Sequence, residues 1–115
     1  MMKNGKIFPQ RGDIFWVDLN PSVGTEINKI RPCLIISNNV ANEFSQRVII
    51  VPLTSSLKAV QIFEIKVMIA QKTGKVLPQQ IRAIDKIRLG KKMGSLTFEE
   101  MQKVDKALKL VLALS

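Results

Sequence analysis

Thr25, Glu26 and Arg31 lie within seven residues of one another in the polar stretch Asn20–Pro32, which reads N-P-S-V-G-T-E-I-N-K-I-R-P. A hydroxyl, a carboxylate and a guanidinium form a set suited to a phosphodiester. The planar arginine fork matches a phosphate bidentately and keeps its charge, and a carboxylate can accept a proton. A second group of hydroxyls ends the run Val51-Pro52-Leu53-Thr54-Ser55-Ser56 and would come alongside the first if the flanking segments pair as strands. Each residue also has a simpler role open to it. Arg31 could pair with Glu26 on the surface, Thr54 could close a strand with side-chain to backbone hydrogen bonds, and Glu26 could be a solvated loop charge rather than a base.

The flanking runs have to position these groups. Asp13 to Leu19 alternates so that Ile14 and Trp16 share one face and Phe15 and Val17 the other, which covers both faces and suits a small closed barrel. Trp16 and Phe15 are read as core side chains rather than as stacking platforms. Gly24 supplies an unusual backbone angle at the loop tip, and Pro32 keeps Arg31 extended. A strand is expected over Cys33–Ser37, a short helical or irregular excursion from Asn38 to Gln46, and a strong strand over Arg47–Leu53. Val60–Ile69 reads as an edge strand or half of a hairpin, with Glu64 and Lys66 on its polar face and a turn at Thr73-Gly74. Pro78 limits the strand at Val76-Leu77, and Gln79–Asp85 would point Gln80, Arg82 and Ile84 the same way. Thr97 with Glu100 three residues on is a capping box opening a C-terminal helix over 97–114, with Leu96 stapled to Met101. Phe98, Met101, Val104, Leu108, Val111 and Leu112 form its apolar stripe. Ala107, Leu110 and Leu114 broaden the stripe beyond what one barrel face covers, and so point to a second subunit.

Composition bounds what remains. A chain of 115 residues with 46% hydrophobic content forms one domain spanning residues 1–115, with residues 1–10 a loose lead-in. No apolar run reaches the length of a membrane span and no secretion signal is evident, so a cytoplasmic location without membrane contact is expected. Lysine and arginine number 18 against 9 acidic residues, a formal charge of +9 that favours a polyanionic partner. The interval Lys72–Lys92 holds seven basic residues and one acid, Asp85, and reads as a binding footprint, with a solvated face as the alternative. Histidine is absent and cysteine is confined to Cys33, which removes zinc sites, a Ser-His-Asp triad and a histidine-pair ribonuclease. No metal or other cofactor is expected, and Cys33 within an apolar run reads as a small core residue.

Four blocks in order carry a likeness: R-G-D-I-F-W-V-D-L-N-P-S-V-G-T-E, I-R-P-C-L-I-I-S, V-I-I-V-P-L-T-S and L-P-Q-Q-I-R-A-I-D-K-I-R-L. Together they resemble the MazF/PemK/Kid family of toxin endoribonucleases over nearly the whole chain. The resemblance implies a mainly β fold with a C-terminal helix, a small SH3-like barrel of the CcdB/PemK type with about five to seven strands. It further implies a homodimer and metal-independent cleavage of single-stranded RNA by 2′-hydroxyl attack. A cognate antitoxin protein would hold the toxin inactive by occupying its RNA groove, and DNA would be bound only by the toxin–antitoxin complex. Carried over by motif, Arg31 and Thr54 are the positions most firmly tied to catalysis, with Glu26 as candidate base. Thr25, Gln80 and Arg82 match groove residues, and Asn20, Lys29 and Ser55 complete the expected RNA-binding set. Two departures stand out: the arginine and aspartate that act as acid and base in the PemK/Kid branch fall here at Leu77 and Gln79, and Ile27-Asn28 replaces a common Gln-Gly.

Two other function classes fit the same composition. A non-catalytic barrel toxin of the CcdB type binds DNA gyrase through a C-terminal tryptophan, whereas this chain ends Leu112-Ala113-Leu114-Ser115 with its tryptophan at position 16. A plain nucleic-acid-binding module needs only the charge and would leave Arg31 and Thr54 dispensable.

Overall fold

The run Arg47–Thr54 forms the longest strand, β3, and the remaining strands are arranged about it. In this computed structural model, which describes residues 8–21, 23–26, 29–56, 58 and 63–114, β1 spans Asp13–Asp18 and β2 spans Ile30–Ile35. They are followed by α1 (Asn39–Phe44), β3, β4 (Ile65–Ile69), β5 (Lys72–Val76), β6 (Arg82–Asp85), β7 (Leu89–Ser95) and α2 (Phe98–Val111). Most of the expected lead-in and the Ile27-Asn28 departure lie outside the described residues.

All pairings are antiparallel. One edge of β3 meets β2 through Cys33↔Pro52, Leu34↔Val51 and Ile35↔Ile50. The opposite edge is shared: Arg47–Ile50 pair with β6, and Leu53 and Thr54 pair with β5. With β1 between β2 and β7, the sheet runs β4-β5-β3-β2-β1-β7 with β6 beside β3. Its curl encloses two apolar clusters. One includes Ile14, Leu34, Val51 and Leu53 and is covered by Val104 and Leu108 of α2; the other gathers Val17, Leu19, Cys33, Ile35 and Ile50. Ile14 and Val17, on opposite faces of β1, are both fully buried, as the alternation predicts.

Four local expectations change. β2 begins at Ile30, so Arg31 and Pro32 are strand residues, with Pro32 opposite Trp16 and Arg31 opposite Val17. The β4–β5 turn is Ala70-Gln71, both in the left-handed region, with Ile69 paired to Lys72 across it. A two-residue hairpin with positive φ at both positions matches strand twist, and Thr73-Gly74 instead lies inside β5. Gln80 belongs to a 3-10 turn, Pro78–Gln80, ahead of β6. α2 carries the expected capping box on Thr97 and Glu100, but Phe98, its first residue, and Leu112, just past its end, stay exposed, while Met101 packs against the core as the stripe expects. A side chain at the first helical position leans back past the helix start, beyond reach of the sheet.

Candidate functional site

The loop joining β1 to β2 is held shut at its base by the main chain and by two arginines distant in sequence. Leu19 N donates to Lys29 O at 3.0 Å, and Lys29 N donates to Asn20 Oδ1 at 3.2 Å. Lys29 takes a left-handed φ of 71° where the chain re-enters β2. Arg82 Nη1 donates to Leu19 O at 2.8 Å, while Arg88 Nη1 donates to Asp18 O at 3.0 Å and to Asn20 O at 2.9 Å. Asn20 and Arg82, both expected to contact RNA, thus hold the loop. Arg88 was missed, because nothing in its local sequence marks a side chain that reaches back 68 residues to Asn20.

With the loop base fixed, β2 delivers Arg31 to a definite place. The β2–β3 register, continued by two residues past Cys33↔Pro52, sets Arg31 opposite Thr54. Both residues line one cleft of about 340 Å3, together with Ser55. Thr54 Oγ1 accepts from Ser56 N at 3.2 Å, the strand-ending bond foreseen as its simpler role. A hydroxyl that accepts can still donate, so this bond orients the O–H rather than consuming it. Behind Thr54, β5 packs tightly: a Cβ on Gly74 would sit 3.0 Å from Thr54 O.

A second cleft, of about 280 Å3, gathers Thr25, Glu26, Gln79, Gln80 and Arg82. The structure therefore brings Arg31, Thr54 and Ser55 together and sets Glu26 with the groove residues instead. Glu26 closes its own turn, since its Oε1 accepts from Val23 N at 2.8 Å and its N–H donates to Val23 O at 3.1 Å. Lys29 is exposed on the same loop. Cys33 lies between the two regions. Burial pushes its thiol up to about 12, while the opposing pull of Arg82 and Arg31 puts both guanidiniums close by. A thiol so protonated and enclosed is a core group, not a nucleophile.

The basic footprint over Lys72–Lys92 is partly turned inward. Lys75, opposite Thr54 in register, is buried and its Nζ meets Glu64 Oε1 at 2.7 Å, with both side chains under one-tenth exposed. Gln79 Nε2 donates to Glu64 Oε2 at 3.3 Å, tying this pair to the second cleft. Lys92 pairs with Asp13 at 3.3 Å, and Arg82 and Arg88 hold the loop. Glu64, read as a surface residue, is the other half of this correction. Trp16 is also corrected: it is 39% exposed and lines the first cleft rather than the core. Among the described residues, no group of three or more His, Cys, Asp or Glu is placed to hold a metal ion, and no helix is long and apolar enough to cross a membrane.

Residues 10–112 match the family described as PemK-like, MazF-like toxin of type II toxin-antitoxin system. The chain belongs to this family of toxins. It is 37% identical over 110 residues to "Endoribonuclease EndoA" of Bacillus subtilis (strain 168), covering 91% of this chain and 95% of that one. Among solved structures, an "Endoribonuclease in complex with its cognate antitoxin from Mycobacterial species" superposes with a TM-score of 0.79 at 29% identity, over 93% of this chain and 97% of that one. MazF (Form-I) from Deinococcus radiodurans reaches a TM-score of 0.83 at 23% identity, over 94% and 99%, and so speaks for the barrel and its C-terminal helix. Within this toxin family the Kid-type departures acquire a physical meaning. Leu77 is buried, so nothing ionisable stands at that position, and Gln79 lines the second cleft as a neutral amide.

Proposed function

We propose that this family toxin is a metal-independent, sequence-selective endoribonuclease that cleaves single-stranded RNA. The ribose 2′-hydroxyl attacks the adjacent phosphorus, leaving a 2′,3′-cyclic phosphate and a free 5′-hydroxyl. The single observation that supports the reading is that Arg31 of β2 and Thr54 of β3, on neighbouring strands, line one cleft. In the pentacoordinate transition state, negative charge builds on the non-bridging oxygens. The Arg31 fork meets that charge bidentately and the Thr54 hydroxyl adds a donor, each such donor being worth about 10²–10³ in rate. Ser55 extends the hydroxyl edge. Thr25, Glu26, Gln80 and Arg82 serve the RNA on the other side of the rim, and Asn20 and Lys29 hold and flank the loop. Glu26 is read as a groove and loop residue, since its carboxylate accepts from the Val23 amide and it lines the second cleft.

The toxin works in the cytoplasm and is held inactive by a cognate antitoxin protein. It binds DNA only as part of that complex. The antitoxin-bound Mycobacterial relative supports the pairing with an antitoxin. Exposed Phe98, Leu110, Leu112 and Leu114 on and after α2 support a homodimer. Incubation with a long RNA in EDTA, followed by mapping of the cut sites and fragment ends, tests the reading. Discrete sites with 5′-hydroxyl ends are expected. Binding without cleavage, or cleavage abolished by EDTA, would overturn it in favour of a binding module or a metal nuclease.

A further inference from the structure

We propose that the cleft beside Arg31 and Thr54 is a nucleobase subsite, in which a base flanking the cleaved linkage stacks on the indole of Trp16. This rests on the ribonuclease reading and adds to it the residue that receives the base.

The backbone around Trp16 is built to turn this side chain outward. Ile14, two residues earlier on the same face, is fully buried, whereas Trp16 is 39% exposed. Between Phe15↔Lys92 and Val17↔Leu89 the β1–β7 register slips, so β7 carries an extra residue opposite Trp16. Such bulges bend a strand and re-aim its side chains. Gly90 fits into the bulge, where a Cβ would come within 3.1 Å of Trp16 O and 3.6 Å of Trp16 Cβ. The far side of β1 at this point is fixed by Pro32, paired with Trp16. The indole is therefore held on a rigid frame with part of its ring surface facing the cleft.

The lining has the two-sided character of a nucleotide. Ile30, Pro32, Ile69 and Met93 supply carbon walls, while Arg31 and Lys72 bring positive charge and Thr54 and Thr73 bring hydroxyl groups to the same lining. A flat ring next to a phosphate matches walls and rim at once. An apolar peptide segment or a second copy of the chain would use the walls but not the charge of Lys72, which is exposed at the rim. Stacking on aromatics tolerates any base, so this cleft contributes affinity and register, and selectivity comes from the polar cleft across the rim.

The chain contains one tryptophan and no tyrosine, so its intrinsic fluorescence reports this position alone. The probe is an RNA oligonucleotide spanning a mapped cut site, made uncleavable by a 2′-deoxy nucleotide at the scissile position, plus a series with one abasic nucleotide at each position. Quenching of the wild-type protein by the intact probe is expected, with one abasic position losing both the quench and about 5- to 150-fold in affinity. Trp16→Ala should bind the intact probe weaker by the same factor and show no further loss with that abasic probe, whereas Trp16→Phe should retain most binding. Cleavage and binding unaffected by Trp16→Ala would overturn the subsite while leaving the nuclease standing. So would fluorescence that responds to protein concentration but not to RNA, the mark of a second copy in the cleft. Absence of cleavage of any RNA by wild type would remove the nuclease reading, and with it the subsite that rests on it, before any probe is made. Because the abasic series runs on wild-type protein, the test survives even if Trp16→Ala folds poorly.

Discussion

Gly74→Ala probes how closely the neighbouring strand positions Thr54. Gly74 is absent from the positive-φ residues, so alanine meets no backbone penalty there and the effect is one of space alone. The new Cβ would lie 3.0 Å from Thr54 O, against an ordinary contact distance that starts at 3.4 Å. The obstacle is main chain, which cannot rotate aside, so β5 or the end of β3 must give by roughly 0.4 Å. A misplacement of about 1 Å costs about 10²-fold in rate, and scaled logarithmically this gives a fall of roughly 5- to 10-fold. Overpacking costs about 1–3 kcal/mol, and the reduced freedom of the unfolded chain returns about 0.4–1 kcal/mol. The net is a loss of about 1 kcal/mol, or a Tm lower by about 4 °C for a domain of this size. Gly94→Ala is the control, because a Cβ there meets nothing within 4 Å. Single-turnover cleavage of an RNA oligonucleotide carrying a mapped cut site, with protein in excess and EDTA present, reads the rate, and thermal unfolding reads the stability. A folded Gly74→Ala protein that cuts at the wild-type rate would refute the claim that the β5 contact positions Thr54.

Arg31→Ala and Thr54→Ala should each lower single-turnover cleavage by about 10²–10³ with RNA binding changed less than tenfold, and the double variant should fall short of the product because both serve one phosphate. Arg31→Lys should recover little, since an ammonium cannot reproduce the fork. Glu26→Gln keeps an oxygen for the Val23 amide and should cut within tenfold of wild type; a loss of about 10² or more would make Glu26 the base. Lys75→Met alone strands the Glu64 carboxylate in the interior and should cost about 3–5 kcal/mol in a denaturant melt, whereas Lys75→Met with Glu64→Leu should recover most of it. For Glu100, partial burial raises the carboxyl pKa, but hydrogen bonds from the Thr97 and Met68 amides and the Thr97 hydroxyl, with nearby Lys103, outweigh it and leave the pKa below its usual 4.5. A depressed folded pKa means that its stabilisation is present above about pH 4.5 and lost as pH falls below it. The wild-type minus Glu100→Gln difference in Tm should therefore shrink on acidification through that range.

What could be read from the residues alone was the part governed by short-range pattern. Strong β formers on both sides of the loop, joined onward by a short helical link, make β2 and β3 antiparallel neighbours and so bring Arg31 beside Thr54. Capping chemistry located the start of α2 for the same reason. Contacts set by distant partners stayed hidden. Gly74 looked like a turn residue because glycine usually marks one, whereas here it admits a close strand, and the turn falls on Ala70 and Gln71, whose types rarely adopt left-handed φ. Lys75 and Glu64 looked solvated because their burial depends on β4, β5 and the 3-10 turn after β5 meeting behind Thr54. The outward turn of Trp16 depends on an extra residue in β7, some 70 positions away, which alternation within β1 does not encode.

The arginines that staple the base of the β1–β2 loop also shape how a polyanion first meets this molecule. A carbonyl oxygen is a dipole and cancels no charge, so Arg82 and Arg88 rigidify the loop while still projecting their positive field into the groove, unlike Lys75, whose charge is extinguished by Glu64. Added salt should accordingly slow the arrival of RNA well before it loosens the loop, so that capture and architecture separate along an ionic-strength series.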